Sequence, residues 1–479
     1  MHDFLIRNAL IFDGSDQAGV QGDVAIHAGR IVAVGQLGDA AAANVIDAQG
    51  LALAPGFIDV HTHDDLEVIR NPDMRSKLSQ GVTTVVVGNC GISASPVHIR
   101  DQVPDPMNLL GDAEDFRYAD FASYRRAVEQ AGPAVNVAAL VGHTALRQNH
   151  MDRLDRAASA DEIDAMRTQL RESLAQGALG LSSGLAYASA FSAPSSEVDA
   201  LAMELPRNGL YATHLRDEFG GILDAMEEAF SAARAPQAAV RVSHLKCAGI
   251  DNWGRSGEVL ASLHAASATQ DVACDCYPYA ASASTLDLKQ VTDAFDILIT
   301  WSEPEPDQGG RLLAAIAADW NVSLLDAAIR LQPAGAVYHG MDEADVRQIL
   351  AHPLTMIGSD GLPRDPRPHP RLWGTFPRVL GHYSRDEQLF PLHTAVHKMT
   401  GLPASRFAMG ARGFIRAGWC ADLVLFDPAR VRDTASFHDP IRAAEGISAV
   451  WVNGCLSYDG RQVVARAGRF VCPEAAPAA

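Results

Sequence analysis

Residues 55–65, PGFIDVHTHDD, place two histidines one residue apart, directly after a short apolar run. The run at 57–60 predicts a buried strand, and side chains at positions i and i+2 of a strand point to the same face. His61 and His63 can therefore reach one metal ion. If this stretch is half of a metal site, the other ligands must lie where neighbouring strands end.

Seven further apolar runs follow the first one, and each ends in polar residues. They are GVTTVVVGNC (81–90), VNVAALVGHT (135–144), GALGLSSGL (177–185), GLYATHLR (209–216), AAVRVSHLK (238–246), DVACDCYPY (271–279) and LTMIGSDG (354–361). Helical patterns lie between them, as in 159–177, where Ser159 and Glu162 form a capping box. Strands alternating with helices predict a (β/α)8 TIM-like barrel, whose functional side chains lie at the C-terminal strand ends.

The two ends of the chain have a different pattern, with short apolar runs separated by Gly, Asp and Asn. This pattern predicts one small β-sandwich domain built from residues 1–54 and 406–479, with the barrel spanning 55–405. Residues 279–338 offer no clean strand. We therefore expect an insertion at about 280–337 that lies over the barrel mouth as a lid or specificity loop.

Bulk composition excludes several classes of protein. The 479 residues carry a formal charge of −19, which argues against nucleic acid or an anionic membrane as a partner. The N-terminus has no basic segment followed by an apolar one, and no run of about 18 apolar residues occurs. Seven scattered cysteines do not form a disulfide pattern. A cytoplasmic, reduced protein is expected.

Four other strand ends carry residues that bind metals. Cys90 ends the second strand, His214 the fifth, His244 the sixth and Asp360 the eighth. Taken singly, a buried cysteine is usually a small hydrophobe and a histidine is often only hydrogen-bonded. Together with the two histidines of the first strand, these nitrogen, thiolate and carboxylate donors predict Zn²⁺ rather than Mg²⁺ or Ca²⁺.

Several motifs resemble a known family. PGFIDVHTH (55–63), the aspartate that ends strand eight and ADLVLFDP (421–428) are similar to the amidohydrolase superfamily. SQGVTTVVVGNCGIS (79–93), YATHLRDE (211–218), SHLKCAG (243–249) and GSDGLPRDPRPHPRLWG (358–374) resemble the N-acyl-D-amino-acid deacylases, or D-aminoacylases. Strand four lacks the lysine that bridges two metals in much of the superfamily. Cys90 stands where a cysteine serves instead in the D-aminoacylase type.

The resemblance implies a zinc-dependent hydrolase that releases a carboxylate and a free D-amino acid. It implies one tight zinc site on Cys90, His214 and His244, and a second, weaker site that uses the two histidines of strand one. Asp360 would take a proton from the attacking water and return it to the leaving amine.

The resemblance also implies the residues that bind a small N-acyl-D-amino acid. Arg371 matches the arginine that binds the substrate α-carboxylate, and a guanidinium can engage a carboxylate with two hydrogen bonds. Tyr277, Ser284 and Lys246 match its hydrogen-bonding partners, with a one-residue shift for Ser284. The apolar side-chain pocket of relatives that accept hydrophobic D-amino acids is matched by Tyr338 and Met341.

Some alternatives stay open at this stage. A cyclic-amide hydrolase of the hydantoinase or dihydroorotase type would need a strand-four lysine, and a non-catalytic scaffold would have lost ligands. His143, at strand three, either lines the pocket or has a structural role. Lys289 is the one basic residue in STLDLKQVTDAF (284–295), offset from the arginine of glutamate-specific relatives, so the preferred side chain is open. The number of functional metals, the acyl preference and the oligomeric state are open too.

Overall fold

The structure of the protein is a computed structural model, which describes residues 1–38, 40–100 and 102–474. Its strands are β1 (His2–Ile11), β2 (Val20–His27), β3 (Arg30–Gly35), β4 (Ala42–Asp47), β5 (Ala52–Pro55), β6 (Phe57–Asp59), β7 (Val82–Val87), β8 (Asn136–Ala139), β9 (Val141–Gly142), β10 (Gly180–Gly184), β11 (Leu210–His214), β12 (Ala239–Val242), β13 (Val272–Cys276), β14 (Ser282–Thr285), β15 (Ile297–Ser302), β16 (Arg311–Leu312), β17 (Ala334–Tyr338), β18 (Thr355–Ile357), β19 (Leu423–Phe426), β20 (Ile447–Val452) and β21 (Cys455–Tyr458).

The helices lie mainly between the strands of the central region. They are α1 (Glu67–Arg70), α2 (Arg75–Leu78), α3 (Phe121–Ala131), α4 (His143–His150), α5 (Ala160–Ala175), α6 (Ala188–Phe191), α7 (Ser195–Ala202), α8 (Ile222–Arg234), α9 (Ser256–Ser267), α10 (Leu313–Trp320), α11 (Leu324–Leu331), α12 (Glu343–Ala351), α13 (Arg371–Arg378), α14 (Leu392–Met399) and α15 (Gly401–Arg406). A π-helical segment, Val379–Asp386, follows α13. The predicted capping box at the start of α5 is present: Ser159 Oγ accepts from Glu162 N, and the Glu162 carboxylate accepts from Ser159 N.

The central strands form the predicted barrel. Strands β6, β7 and β8 pair in parallel, and β9 to β13 and β18 continue the parallel order, with β8 and β9 together forming the third barrel strand. The first and last strands close the ring through a parallel bridge between Thr62 and Gly361. Asp360 N donates to His61 O at 2.7 Å, and His63 N donates to Gly361 O at 3.0 Å. The (β/α)8 architecture is therefore confirmed.

Apolar side chains fill the barrel and close its N-terminal end. Val60, Val86, Leu140 and Met356 belong to one buried cluster in the interior. The same cluster contains residues from α15, the segment that follows it and the C-terminal tail: Leu402, Ala404, Phe407, Met409 and Val471. This plug leaves the opposite end, where the polar residues follow the strands, as the place for chemistry.

Strands from both termini meet in one eight-stranded sheet. β19 from the C-terminal part lies antiparallel to β5 from the N-terminal part, so a strand pair joins the two ends of the chain. The small β domain predicted from both termini is confirmed, and it has its own buried cluster around Leu53, Leu423 and Trp451. The exact limits at residues 54/55 and 405/406 stay a prediction.

An insertion separates the seventh and eighth barrel strands. Its four strands, β14 to β17, form an antiparallel sheet, and α10 and α11 pack with it around a separate core that includes Ile299, Ile316 and Leu331. The expectation that residues 279–338 offer no clean strand is wrong. Strands of two to six residues, covered on one side by helices, show little periodicity in the sequence. None of the helices in the described ranges is long and apolar enough to cross a membrane.

Candidate metal centre

The predicted ligands converge at the C-terminal end of the barrel. Two groups of side chains have donor atoms that all lie within 4.8 Å of one another. The first group is His61, His63, Cys90 and Asp360, and the second is Cys90, His214 and His244. Cys90 belongs to both groups, so its sulfur lies between them.

The distances within the centre are short, and the donor atoms face one another. Cys90 Sγ lies 3.2 Å from His61 Nε2 and 3.4 Å from His244 Nε2. His63 Nε2 lies 3.2 Å from Asp360 Oδ1. The rings of His214 and His244 meet edge to face with 4.4 Å between their centroids. Residues that follow five barrel strands thus place four imidazoles and one carboxylate around one thiol.

Three of these side chains stand on unusual backbone. Cys90, His244 and Asp360 have φ angles of +55°, +35° and +47°, in the left-handed region that residues with a Cβ rarely adopt. Such conformations cluster at functional sites, where the surroundings hold them in place. Gly91 next to Cys90 also has positive φ, and a Cβ there would lie 2.6 Å from the backbone N of Gly184. The GNCG turn therefore needs this glycine to place the thiol.

Two carboxylates orient the ligating imidazoles from behind. Asp275 Oδ1 lies 3.2 Å from His61 Nδ1 and accepts from His244 N at 2.9 Å. Glu218 Oε1 lies 3.0 Å from His244 Nδ1. A carboxylate on Nδ1 fixes the tautomer in which Nε2 carries the free lone pair for a metal. Sequence reasoning missed both residues; the available signal for Glu218 was its position four residues after His214 in THLRDE.

The charges of the centre favour an ionised thiol and an ionised carboxyl. Burial alone would raise the pKa of Cys90, but positive charge on His61 and His244 brings it well below its usual value. Burial also acts to raise the pKa of Asp360, and the Arg371 guanidinium and His61 outweigh it, so this pKa is well below the usual range. Thiolate is the form of cysteine that binds metals.

The donor set fits a zinc ion. It combines one thiolate, four imidazoles and a carboxylate, whereas Mg²⁺ and Ca²⁺ take oxygen ligands almost exclusively. The donor atoms of each ligand group also lie within 4.8 Å of one another, so each group can converge on one ion.

Several predicted substrate-binding residues border the centre. Arg371 Nη1 lies 2.9 Å from Asp360 Oδ2, and the guanidinium stacks 4.6 Å from the centroid of the Tyr277 ring. Tyr277 Oη contacts the Met341 sulfur at 3.8 Å. Lys246 Nζ lies 2.8 Å from His244 Nδ1 and forms an ion pair with Glu218. Arg371, Tyr277 and Met341 thus form one connected group beside Asp360, and Lys246 lies beside His244.

The other predicted residues lie further out. Ser284 is on β14 and partly exposed, next to Tyr187, whose ring is 4.8 Å from that of His214. Tyr338 packs in the insertion core, where its hydroxyl donates to Thr285 O and accepts from Asp287 N. Among the described residues, no hydrogen bond joins Tyr338 to the metal ligands.

Residues whose role the sequence left open occupy structural positions. His143 Nε2 lies 2.9 Å from Glu197 Oε1, outside both ligand groups. Cys247, Cys274 and Cys276 are buried and form no disulfide among the described residues. Lys289 is exposed, and its ammonium lies 5.1 Å from the centroid of the Phe191 ring.

Comparison with known proteins identifies the family. The model of the amidohydrolase family matches residues 44–458. The chain belongs to this family. Within it, the chain is 49% identical over 474 residues to N-acyl-D-aspartate deacylase of Alcaligenes xylosoxydans xylosoxydans, covering 98% of this chain and 95% of that one. It is 48% identical to D-aminoacylase of the same organism, covering 99% of this amidohydrolase and 98% of the relative.

A solved structure of another deacylase is also similar to this chain in sequence and in fold. N-acyl-D-glutamate deacylase from Bordetella bronchiseptica, complexed with zinc and a phosphonate inhibitor that mimics the tetrahedral intermediate, superposes with a TM-score of 0.95. It is 43% identical, and the alignment covers 98% of this chain and 99% of that one. The predicted place of this amidohydrolase in the D-aminoacylase family is confirmed.

Proposed function

We propose that this chain is a zinc-dependent hydrolase that removes the acyl group from N-acyl-D-amino acids, giving a carboxylate and a free D-amino acid. The observation that carries the proposal is the shared thiol of Cys90, which lies between two groups of ligands with Asp360 and Arg371 beside them. Relatives of similar length that act on N-acyl-D-aspartate and N-acyl-D-glutamate support the reaction class.

In this proposal Cys90, His214 and His244 hold the tight zinc. His61 and His63 hold the weaker site, with the Cys90 sulfur shared and Asp360 close by. Bound zinc supplies a Lewis acid that polarises the amide carbonyl and makes water acidic enough to attack near neutral pH.

Asp360 moves the proton. Its low pKa keeps the carboxylate ionised at neutral pH, and Oδ1 lies 3.2 Å from His63 Nε2, on the ligand side of the pocket. The carboxylate takes a proton from the water that attacks the carbonyl carbon. It then gives this proton to the nitrogen of the leaving amine, so the same group acts first as base and then as acid.

Arg371 anchors the substrate α-carboxylate. Its Nε is buried and has no hydrogen-bond partner among the described residues, and an unpaired buried donor of this kind is costly. A carboxylate that accepts from Nε removes this cost and adds a charge-assisted bond. Tyr277, Lys246 and Ser284 assist in this role, and Tyr338 and Met341 shape the side-chain pocket.

The two alternative functions fit less well. β10, the fourth barrel strand, contains no lysine, which argues against the carbamylated-lysine type of cyclic-amide hydrolase. A non-catalytic scaffold would have no reason to keep all five ligands and the aspartate together in one buried centre.

A release assay tests the proposal. Zinc-loaded protein is incubated with N-acetyl-D- and N-acetyl-L-forms of Leu, Met, Phe, Glu and Asp, and the free amino acid is quantified. We expect release from D-substrates only. Equal rates on both enantiomers would refute the stereochemical part, and hydrolysis of hydantoins in preference to linear amides would favour the cyclic-amide alternative. Preference for acidic side chains would assign a role to Lys289.

A further inference from the structure

Lys77 is a fully buried lysine beneath the metal centre. It lies on α2, and its side chain has no exposed surface. Its ammonium lies 2.8 Å from Asp59 Oδ2, 2.9 Å from Thr62 Oγ1, 3.0 Å from Ser359 Oγ and 3.1 Å from Asp64 Oδ2. Burying a charged amine costs free energy unless the amine is fully paired. The four polar contacts of this ammonium therefore indicate that Lys77 has a specific structural or functional role.

The partners of Lys77 bind the backbone on both sides of one strand junction. Asp59 Oδ1 accepts from Ser359 N at 2.8 Å and from His61 N at 3.3 Å. Ser359 Oγ donates to Asp59 Oδ2 at 2.6 Å and accepts from Gly361 N at 3.1 Å. The ammonium thus holds together the ends of β6 and β18.

This junction is where the barrel closes, and it carries the weaker ligand group. His61 and His63 follow β6, and Asp360 follows β18 with a φ of +47°. His63 and Asp360 approach one another across the junction at 3.2 Å. Cys90, His214 and His244 belong to other strands, so they do not depend directly on the same contacts.

We propose that Lys77 is a positioning residue, which sets the distance between the two histidines of strand one and Asp360. The inference rests on the proposed function, because it assigns to Lys77 the alignment of the proton-transfer group and of the weaker metal site. Lys77 touches none of the ligands, and it acts through Asp59, Thr62 and Ser359.

A second buried lysine provides a matched control. Lys398 on α14 is 1% exposed, and its ammonium donates to His352 O and Thr355 O. Thr355 begins β18, so Lys398 supports the opposite end of the same strand, away from the ligands. If any buried lysine beside β18 affected the centre through general stability, Lys398→Met would have the same consequences as Lys77→Met.

The experiment compares Lys77→Met and Lys398→Met with the wild type. Zinc affinities are measured by competition with a chelator on metal-free protein, kcat and KM with the preferred N-acetyl-D-amino acid, and folding by thermal unfolding. For Lys77→Met we expect a fall of about 10–100-fold in kcat and in the affinity of the weaker zinc site, the range for partners behind metal ligands. The affinity of the tight site should stay within about twofold, because Cys90, His214 and His244 follow other barrel strands.

The outcomes separate this inference from the proposed function. The inference is overturned if Lys77→Met keeps both the kcat and the weaker-site affinity of the wild type, or if Lys398→Met loses them equally. If Lys77→Met does not fold, Ser359→Ala removes only the hydroxyl link between the two strands, and an unchanged weaker site in that variant would overturn the inference. A wild type without hydrolytic activity would refute the proposed function, and the zinc affinities would still test Lys77.

Discussion

Cys90 is the residue on which both halves of the centre depend, since its sulfur lies near His61 on one side and His244 on the other. Its backbone is in the left-handed region, and Gly91 beside it lies too close to the backbone of Gly184 for a side chain, so the packed turn holds the thiol in place. Loss of this thiol therefore removes a ligand from the tight site and the link to the weaker one.

We expect Cys90→Ala to lose bound zinc and to lower kcat/KM by more than about 100-fold, beyond the range for residues behind the ligands. Metal content by elemental analysis and the release assay check this result. Cys274→Ala is the control, because Cys274 is also buried but its sulfur contacts Thr355 instead of the ligands. Full zinc occupancy and activity in Cys90→Ala would contradict the assigned metal site.

The individual ligands were predictable, whereas their supports were not. Cys90 and Asp360 follow strands directly, so a local pattern reveals both the element and the polar residue that ends it. Asp275 and Lys77 act through pairs formed between distant parts of the chain, as between Lys77 and Ser359, which are 282 positions apart. A local sequence pattern does not predict such a pair. From the sequence alone, a single lysine or carboxylate is interpreted as a solvated surface residue.

At the level of elements, the parallel strands that are buried on both faces were the easiest to predict from the sequence. β7, VTTVVV, is buried along its whole length, as strands covered by helices are. The strands of the insertion were the hardest to predict, because they are only two to six residues long. The interrupted alternation of strands and helices in the sequence predicted that an insertion is present. It did not predict the structure within the insertion, whose core is separate from the barrel core.

Helix α14 offers a test of stability against pH through Lys398. Burial lowers the pKa of Lys398 from 10.5 to about 8, because the loss of water around the ammonium outweighs the backbone carbonyls and the Phe390 ring that favour its charged form. Below pH 8 the folded protein carries the cost of a buried charge. As the pH rises from about 8 to 10.5, the folded state releases this proton before the unfolded state does, so this group makes the free energy of unfolding increase.

We expect the wild type to gain up to roughly 3 kcal/mol relative to Lys398→Met over this window, at 1.36 kcal/mol per pKa unit. The measurement is denaturant unfolding of both proteins from pH 7 to 10.5, with the difference plotted against pH. Other groups titrate equally in both proteins and cancel. Two curves that stay parallel over the whole range would contradict the lowered pKa.

At the level of the whole molecule, the C-terminal tail packs against the barrel at the end opposite the metal centre. The strand pair between β5 and β19 makes the small domain a product of both ends of the chain. The C-terminal tail then returns to the barrel: Val137 N donates to Arg469 O at 2.9 Å, and Val471 N donates to Val137 O at 2.8 Å. The polar residues that follow the strands thus form the metal centre. The apolar tail packs against the beginnings of the strands and contributes to stability.

This division predicts the effect of shortening the chain. A protein that ends at residue 465 lacks the backbone bonds to Val137, the Val471 side chain in the barrel plug and the Phe470 ring, which lies 5.8 Å from that of Phe121. We expect it to be less stable than one that ends at 474 by on the order of 2–3 kcal/mol, the range for burying one apolar side chain of this size. Thermal unfolding of the two proteins measures the difference.

At 25 °C, kcat per folded, zinc-loaded molecule should be equal in both, because the tail lies at the N-terminal ends of the strands and the ligands at the C-terminal ends. A lower kcat with unchanged stability would show that the tail acts on the metal centre instead.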